Sequence, residues 1–130
     1  MNLNSFQLDI DNFLIRNRSI LDQITKLSDS CARLNRHISK AATTCGCIRI
    51  EITKQPYSAD NAISIDDIKS LMQTHIKDSL CSECKESIEK DLGRMLFYIG
   101  AIANSFNISL DEVIEKEHLG LSILGKYSLR

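Results

Sequence analysis

Residues 19–41 read SILDQITKLSDSCARLNRHISKA, and their apolar side chains recur at steps of three and four positions without a miss. This spacing places the apolar side chains on one face of an α-helix. Ser19, with Asp22 three residues later, resembles a capping box in which Asp replaces the usual Glu. The segment therefore predicts an amphipathic helix over residues 19–42 that buries one face in a core.

Helical spacing is also present at the N-terminus and in the middle of the chain. Apolar residues at positions 3, 6, 10, 13 and 14 predict a short first helix, with Asn4 or Ser5 as its cap. Ser64 and Asp67 form another capping-box pattern and predict a helix that ends near Asp78. Both helices are shorter than the one at residues 19–42.

A second long apolar pattern covers residues 88–106 and widens after Gly93, which predicts a helix whose second half is central to the core. Asn107 is expected to end this helix, and Ser109 to begin the last one. Gly120 and Gly125 are expected to loosen the tail. The C-terminal third therefore predicts two consecutive helices.

Residues 43–84 form an insert that is less regular than the rest. Two threonines and Gly46 interrupt the helical pattern, and isoleucines at positions 48, 50 and 52 then alternate with polar residues. Alternation of this kind predicts a short strand or an extended arm. A polar loop, Gln55–Asn61, contains the single proline. The whole pattern predicts one all-α domain over residues 1–130, a helical bundle with an irregular insert.

Length and charge exclude several classes of protein. A chain of 130 residues is the size of one domain. Its formal net charge of -1 offers no basic excess, so no nucleic acid partner is expected. No stretch approaches the roughly 20 apolar residues that cross a bilayer, and the N-terminus lacks the pattern of a secretory signal. We therefore expect no membrane segment and a cytoplasmic location.

Four of the five cysteines lie in two close pairs, Cys45 with Cys47 and Cys81 with Cys84. Folding can bring two such pairs together as the four sulfur ligands of a structural zinc ion. In a reducing cytoplasm, paired cysteines are more often metal ligands or redox centres than structural disulfides. The predicted cofactor is therefore Zn²⁺.

Two other interpretations of these cysteines stay open. Cys81 and Cys84 alone would form a redox pair at a helix start, where a thiolate is favoured, although no βαβ pattern surrounds them. Alternatively, the four thiols are separate groups that share neither a metal ion nor a redox role. The fifth cysteine, Cys31, lies inside an apolar helical pattern and is expected in the core.

Two segments carry a family resemblance. Residues 89–104, EKDLGRMLFYIGAIAN, and residues 107–116, NISLDEVIEK, together with the order of the helices, resemble the MazG group of all-α nucleoside triphosphate pyrophosphohydrolases. The likeness is good in the last two helices, moderate at residues 19–42 and nearly absent from the insert. It implies a four-helix bundle core that is completed by a homodimer.

MazG-like enzymes hold Mg²⁺ with acidic residues on two facing helices, because this hard cation prefers carboxylate and water oxygens. Among the corresponding positions of this chain, only Asp29 and Asp91 are acidic. Ser30, Arg33 and Arg94 stand where the family has carboxylates. Because guanidinium groups repel a dication, the resemblance implies that the standard magnesium site is lost.

Arg33 and Arg94 are candidate phosphate-binding residues. They are expected to face one another across two helices, near other cations that could bind the same ligand: Lys26, Arg36, Lys40 and Lys90. Alternatively, the two arginines pair with nearby carboxylates or reach solvent. His37 is expected to be an ordinary surface or hydrogen-bonding histidine; the alternative is that it completes the metal site in place of one cysteine.

These features predict a zinc-stabilised, MazG-like binding or regulatory module that lacks standard Mg²⁺-dependent pyrophosphohydrolase activity and takes a nucleotide or another phosphate compound as ligand. One alternative is an active hydrolase whose Mg²⁺ is held by carboxylates such as Glu86, Glu89 and Asp91, with Asp29, Glu89 and Asp91 as the catalytic candidates. A second alternative is a thiol redox sensor. The apolar faces of the two long helices are expected to form a homodimer interface, unless the helix at residues 65–77 covers them in a monomer.

Overall fold

The computed structural model describes residues 1–56 and 64–125, and helices account for most of them. The helical class is confirmed, with one two-stranded antiparallel sheet added. The predicted polar loop lies outside the described residues from position 57 onward. The elements in chain order are α1 (Leu3–Phe13), α2 (Ile20–Lys40), a π turn (Ala41–Cys45), β1 (Ile48–Ile50), α3 (Ile65–Leu71), β2 (Ile76–Asp78), α4 (Ser82–Ser105) and α5 (Leu110–Leu124).

Helices α2 and α4 form an antiparallel pair. At one end the Ser105 hydroxyl donates to Gln23 Oε1 over 2.9 Å, and in the middle the His37 ring contacts the Asp91 carboxylate. At the other end the two cysteine pairs meet. Gln23 and Asp91 are almost fully buried, so the face between the two helices is partly polar and held by hydrogen bonds.

Helix α1 packs against the C-terminal half of α4. Ile10 is 1% exposed and forms a hydrophobic cluster with Leu14 and Ala101. This close approach requires Gly100, because a Cβ atom at that position would overlap with Ile10 Cδ1. Helix α1 also contacts α5. The N-terminal and C-terminal helices thus close the end of the α2–α4 pair that lies away from the cysteines.

Most helix ends follow the signals in the sequence. Ser19, Ser64 and Ser109 cap α2, α3 and α5, each through a side-chain oxygen that accepts a backbone N–H. Asn107, with φ of 55°, ends α4 as predicted. The N–H of the next residue donates to Ala103 O over 2.8 Å, which is the bond of a Schellman motif.

Besides the end of α3, three helix boundaries differ from the prediction. The cap of α1 is Asn2 rather than Asn4 or Ser5, because Asn2 and Ser5 bond one another reciprocally in a capping box. The winding of α2 continues through the threonines as a π turn that ends at Cys45. Helix α5 runs on through Gly120, because the intrinsic cost of a glycine inside a helix is only about 1 kcal/mol.

The predicted helix at residues 64–78 is wrong in its second half. Helix α3 ends at Leu71, and the chain continues into β2, which pairs with β1. The Gln55 side chain accepts from Gln73 N over 2.8 Å and donates to Gln73 O over 2.9 Å, so it occupies backbone groups that a longer helix would use. Local spacing could not indicate this ending, because the competing partner lies 18 positions away.

One side of the α2–α4 pair presents an apolar stripe to the surface. Leu92 and Leu96 are 45% and 55% exposed, and Cys31, which was expected in the core, is only partly buried. Helix α3 leaves this side uncovered. No helix in the described part of the chain is both long and apolar enough to cross a membrane. The apolar stripe comprises Ile24, Leu27, Cys31 and Ile38 of α2 and Leu92, Met95, Leu96 and Ile99 of α4.

Candidate metal centre

The four paired cysteines lie together at one end of the α2–α4 pair. The Sγ atoms of Cys45, Cys47, Cys81 and Cys84 are all within 4.8 Å of one another. Zn–S bonds of about 2.3 Å in a tetrahedron place sulfur atoms about 3.8 Å apart. The Cys45 and Cys81 sulfurs are separated by 3.8 Å, which fits a shared metal ion and is far longer than the roughly 2.05 Å of a disulfide.

The end of α2 presents Cys45 and Cys47. The π turn carries the chain to Cys45, and Gly46 then reverses it with φ of 76°. Gly46 N donates to Ala41 O over 2.9 Å, and Cys47 Sγ lies 3.7 Å from the same oxygen. Ala41 is fully buried, so this turn is anchored to the core. Because a left-handed φ is costly for residues with a Cβ atom, glycine suits the position between the two thiols.

The first turn of α4 presents Cys81 and Cys84. Cys81 is the N-cap residue, and its sulfur accepts a hydrogen bond from Cys84 N over 3.4 Å. This bond lowers the pKa of Cys81 to about 7. The partial positive charge of the helix N-terminus favours the thiolate in the same direction. The second pair therefore offers one sulfur that ionises readily.

Two of the neighbouring thiols, those of Cys45 and Cys84, hold their protons more tightly than an isolated cysteine does. Hydrogen bonding with the Cys81 side chain raises the pKa of Cys84 to about 12 and also raises the pKa of Cys45. A bound metal ion must replace these protons, because the thiolate is the form that ligates metal. Metal binding at this centre therefore releases protons and becomes stronger as the pH rises.

The two-stranded sheet brings the two cysteine pairs within reach of each other. Strand β1 begins at Ile48, directly after Cys47, and pairs with β2 so that Ile48 lies opposite Asp78. Cys81 follows Asp78 by three residues, so both pairs lie at the same end of the sheet. Arg49 Nε donates to Asp78 Oδ2 over 3.1 Å, but such exposed ion pairs contribute only about 0–1 kcal/mol. The strand pairing, rather than this ion pair, sets the geometry of the centre.

Asp91 is placed in the interior and not at a solvent-accessible cation site. Its side chain is 2% exposed and contacts the Nδ1 atom of His37 from α2. This contact confirms that His37 is a hydrogen-bonding histidine. The two residues are 54 positions apart, so no local sequence pattern could have indicated their pairing.

The other acidic candidates are exposed and paired with cations on their own helices. Asp29 Oδ2 accepts from Arg33 Nε over 3.1 Å. Glu86 and Glu89 each lie within 4 Å of a lysine one turn away, at 3.3 Å and 3.8 Å. Among the described residues, the cysteine quartet is the one group of three or more side chains arranged to share a metal ion. The acidic candidates form no comparable group there.

Arg33 and Arg94 line the same depression between α2 and α4. Its volume is about 280 Å³. A neighbouring depression of about 430 Å³ shares Asp29 and Arg33 with it and adds Arg36 and His37. Lys40 and Lys90, which the sequence also suggested, line neither depression. The lining of the first, which we term the basic depression, consists of Lys26, Asp29, Ser30, Arg33, Arg94 and Tyr98.

Comparisons with known proteins identify no family for this chain. No protein-family model, curated protein or solved structure matches the chain.

Proposed function

We propose that this protein is a zinc-stabilised, MazG-like binding module without Mg²⁺-dependent pyrophosphohydrolase activity. The observation that carries the proposal is the cluster of four cysteine sulfurs within 4.8 Å of one another. Four thiolates complete the tetrahedral coordination of Zn²⁺ and leave no open position for water or substrate, which is the arrangement of structural sites. In this role the metal would tie the end of α2, the two-stranded sheet and the start of α4 together.

The insert needs such a tie because its two strands bury little apolar surface. Ile48 is 4% exposed, but Ile50 and Ile76, which lie opposite each other in the sheet, are 43% and 52% exposed. An isolated pair of strands is marginally stable at best. Zinc binding by thiolates is worth on the order of 10 kcal/mol in small sites, and this free energy stabilises whatever structure brings the ligands together.

The absence of hydrolase activity is proposed from the placement of the acidic residues. Mg²⁺ in phosphoryl-transfer sites needs carboxylates that are accessible to the cation and its waters. Asp91 is buried against His37, and Asp29 is paired with Arg33. A dication beside Arg33 and Arg94 would also be repelled by both guanidinium groups.

The MazG-like fold and the homodimer belong to the same proposal. The resemblance of residues 89–116 falls on α4 and α5, and α2 with α4 would form one half of a four-helix bundle. A second copy would supply the other half by packing its apolar stripe against this one. Two self-complementary stripes related by a two-fold axis form a closed interface.

Elemental analysis tests the zinc centre. Protein purified without added metal should contain about one zinc ion per chain, as expected for a four-sulfur site. Cys84→Ser should release the metal, whereas Cys31→Ser, which removes a thiol outside the cluster, should retain it. Zinc-free protein, iron in place of zinc, or equal metal loss in both variants would contradict the proposal.

A turnover assay separates the proposal from the hydrolase alternative. We expect no Mg²⁺-dependent release of pyrophosphate from a panel of nucleoside triphosphates. Turnover that disappears in Asp91→Asn would instead support an active hydrolase.

A redox sensor is the second candidate, because the lowered pKa of Cys81 favours a reactive thiolate. With zinc bound, we expect the thiols of the quartet to resist alkylation. Rapid alkylation of Cys81 in the zinc-loaded protein would favour the redox role over the structural one.

A further inference from the structure

We infer that the basic depression and its neighbour together form a metal-free binding site for a small molecule that carries two phosphate groups. The inference rests on the proposed binding role of the protein but does not depend on the zinc centre. Three cations, Lys26, Arg33 and Arg94, line the basic depression against one carboxylate, Asp29. A surplus of fixed positive charge in a concave site favours an anionic ligand.

Among the four cations at the two depressions, Arg33 alone forms an ion pair within the described residues. Arg33 is held by Asp29 at 3.1 Å, which fixes its position. Lys26, Arg36 and Arg94 form no ion pair with any of the described residues. Free guanidinium groups are suited to phosphate because their N–H donors match its oxygens in bidentate bonds. The unpaired arginines at both ends of the site are thus available to a ligand.

Neutral hydrogen-bonding groups complete the basic depression. Tyr98 lines it and makes no hydrogen bond within the described residues, so its hydroxyl is free to donate. The Ser30 hydroxyl donates to Lys26 O over 2.9 Å, which leaves its oxygen lone pairs but no proton for a ligand. The phosphate contacts are therefore expected from Tyr98 and the cations.

The two adjoining depressions account for the preference for two phosphate groups. They share Asp29 and Arg33, so Arg33 stands between them, with Arg94 in one and Arg36 in the other. A single phosphate can occupy only one of the two depressions. A diphosphate can contact cations in both.

The site lies away from the proposed dimer interface. On α2, Lys26 and Arg33 are seven positions apart and share one face, whereas the apolar stripe follows Ile24, Cys31 and Ile38 at the same interval on another face. Assembly through the apolar stripe would therefore leave the basic depression open to a ligand.

Calorimetric titration of the 130-residue chain, as purified, with inorganic pyrophosphate, at low ionic strength and without added Mg²⁺, tests the inference. Pyrophosphate should bind at least about tenfold more tightly than orthophosphate, and raising the salt concentration should weaken its binding. Arg94→Gln should weaken pyrophosphate binding by about tenfold or more. The matched control, Lys116→Gln, removes one positive charge from the exposed surface of α5 and should change the affinity less than about twofold.

Zinc content, measured before and after each titration, separates this inference from the proposed function. A zinc-loaded chain that binds no pyrophosphate at about millimolar concentration would overturn the diphosphate site alone. Equal weakening in Arg94→Gln and Lys116→Gln, equal affinity for the two anions, or binding that requires Mg²⁺ would also overturn it. A zinc-free chain that binds pyrophosphate as expected would sustain the inference while the zinc proposal fails.

Discussion

The role of Asp91 in the folded protein differs from the role that its sequence position suggests. A carboxylate on α4 is a candidate cation ligand in the sequence, but its side chain is 2% exposed and contacts His37 across the helix pair. A buried carboxylate is stable only when it is paired or hydrogen-bonded. The His37 contact therefore makes Asp91 part of the helix packing and removes it from the set of accessible acidic groups.

The His37 contact should have a measurable effect on stability. His37→Ala leaves the Asp91 carboxylate buried without this partner, which should lower the free energy of unfolding by about 2 kcal/mol. His118→Ala, the same substitution at an exposed position of α5, should change it by less than about 0.5 kcal/mol. Urea unfolding of the zinc-loaded proteins measures both values. Similar values for the two variants would mean that the contact does not stabilise the fold.

Helix α5 is joined to the rest of the molecule mainly through a buried polar residue of α1. The Gln7 amide nitrogen donates to Asn104 Oδ1 over 3.0 Å and to Ile108 O over 2.8 Å. Its oxygen accepts from Leu110 N over 2.8 Å, at the first residue of α5. Gln7 is 7% exposed, so these bonds satisfy backbone groups that water reaches poorly. One side chain thus connects three helices.

Removing the amide should loosen α5 before it affects the α2–α4 pair. Gln7→Leu leaves Leu110 N and Ile108 O without this partner, and should lower the free energy of unfolding by about 2 kcal/mol. Hydrogen exchange should accelerate first in the amides of α5. Gln73→Leu, in which an exposed glutamine side chain is replaced, is the matched control and should have little effect. Unchanged exchange in α5 would count against the connecting role of Gln7.

At the scale of the whole molecule, the apolar stripe leaves a hydrophobic patch exposed to water on a single chain. Ile24 and Ile99 are 46% and 38% exposed, beside Leu92 and Leu96 on the same side of the helix pair. Large exposed apolar patches on soluble proteins usually mark interfaces. A stable dimer through this stripe should bury at least about 1,000 Å².

Light scattering at micromolar concentration should therefore give the mass of a dimer. Leu96→Glu places a charge within the apolar stripe and should shift the mass to that of a monomer, because an unpaired charge at an interface centre is strongly unfavourable. Leu8→Glu is a matched control, since Leu8 is 61% exposed against 55% for Leu96 but lies on α1. A monomeric parent protein, or equal dissociation in the two variants, would contradict the proposed dimer.

By itself, the sequence determined the features that depend on neighbouring residues. Helical spacing and capping residues such as Ser64 and Ser109 predicted the helices, because each turn and each cap is formed by residues three or four positions apart. The spacing of the cysteines identified the four potential metal ligands, although several interpretations of them remained open. The helical class and the identity of the four potential ligands could therefore be predicted from local sequence, whereas strand β2 could not.

Only the tertiary structure decided which distant groups meet. Helix α3 ends at Leu71 because the side chain of Gln55, 18 positions from Gln73, hydrogen-bonds the backbone of that residue. The tertiary structure also buried Asp91 against His37 and placed Arg33 and Arg94 around one depression. These outcomes depend on residues that are tens of positions apart, and local periodicity contains no information on such contacts. They arise from the packing of α2 against α4, where burial and hydrogen bonding of the whole interface select the partners.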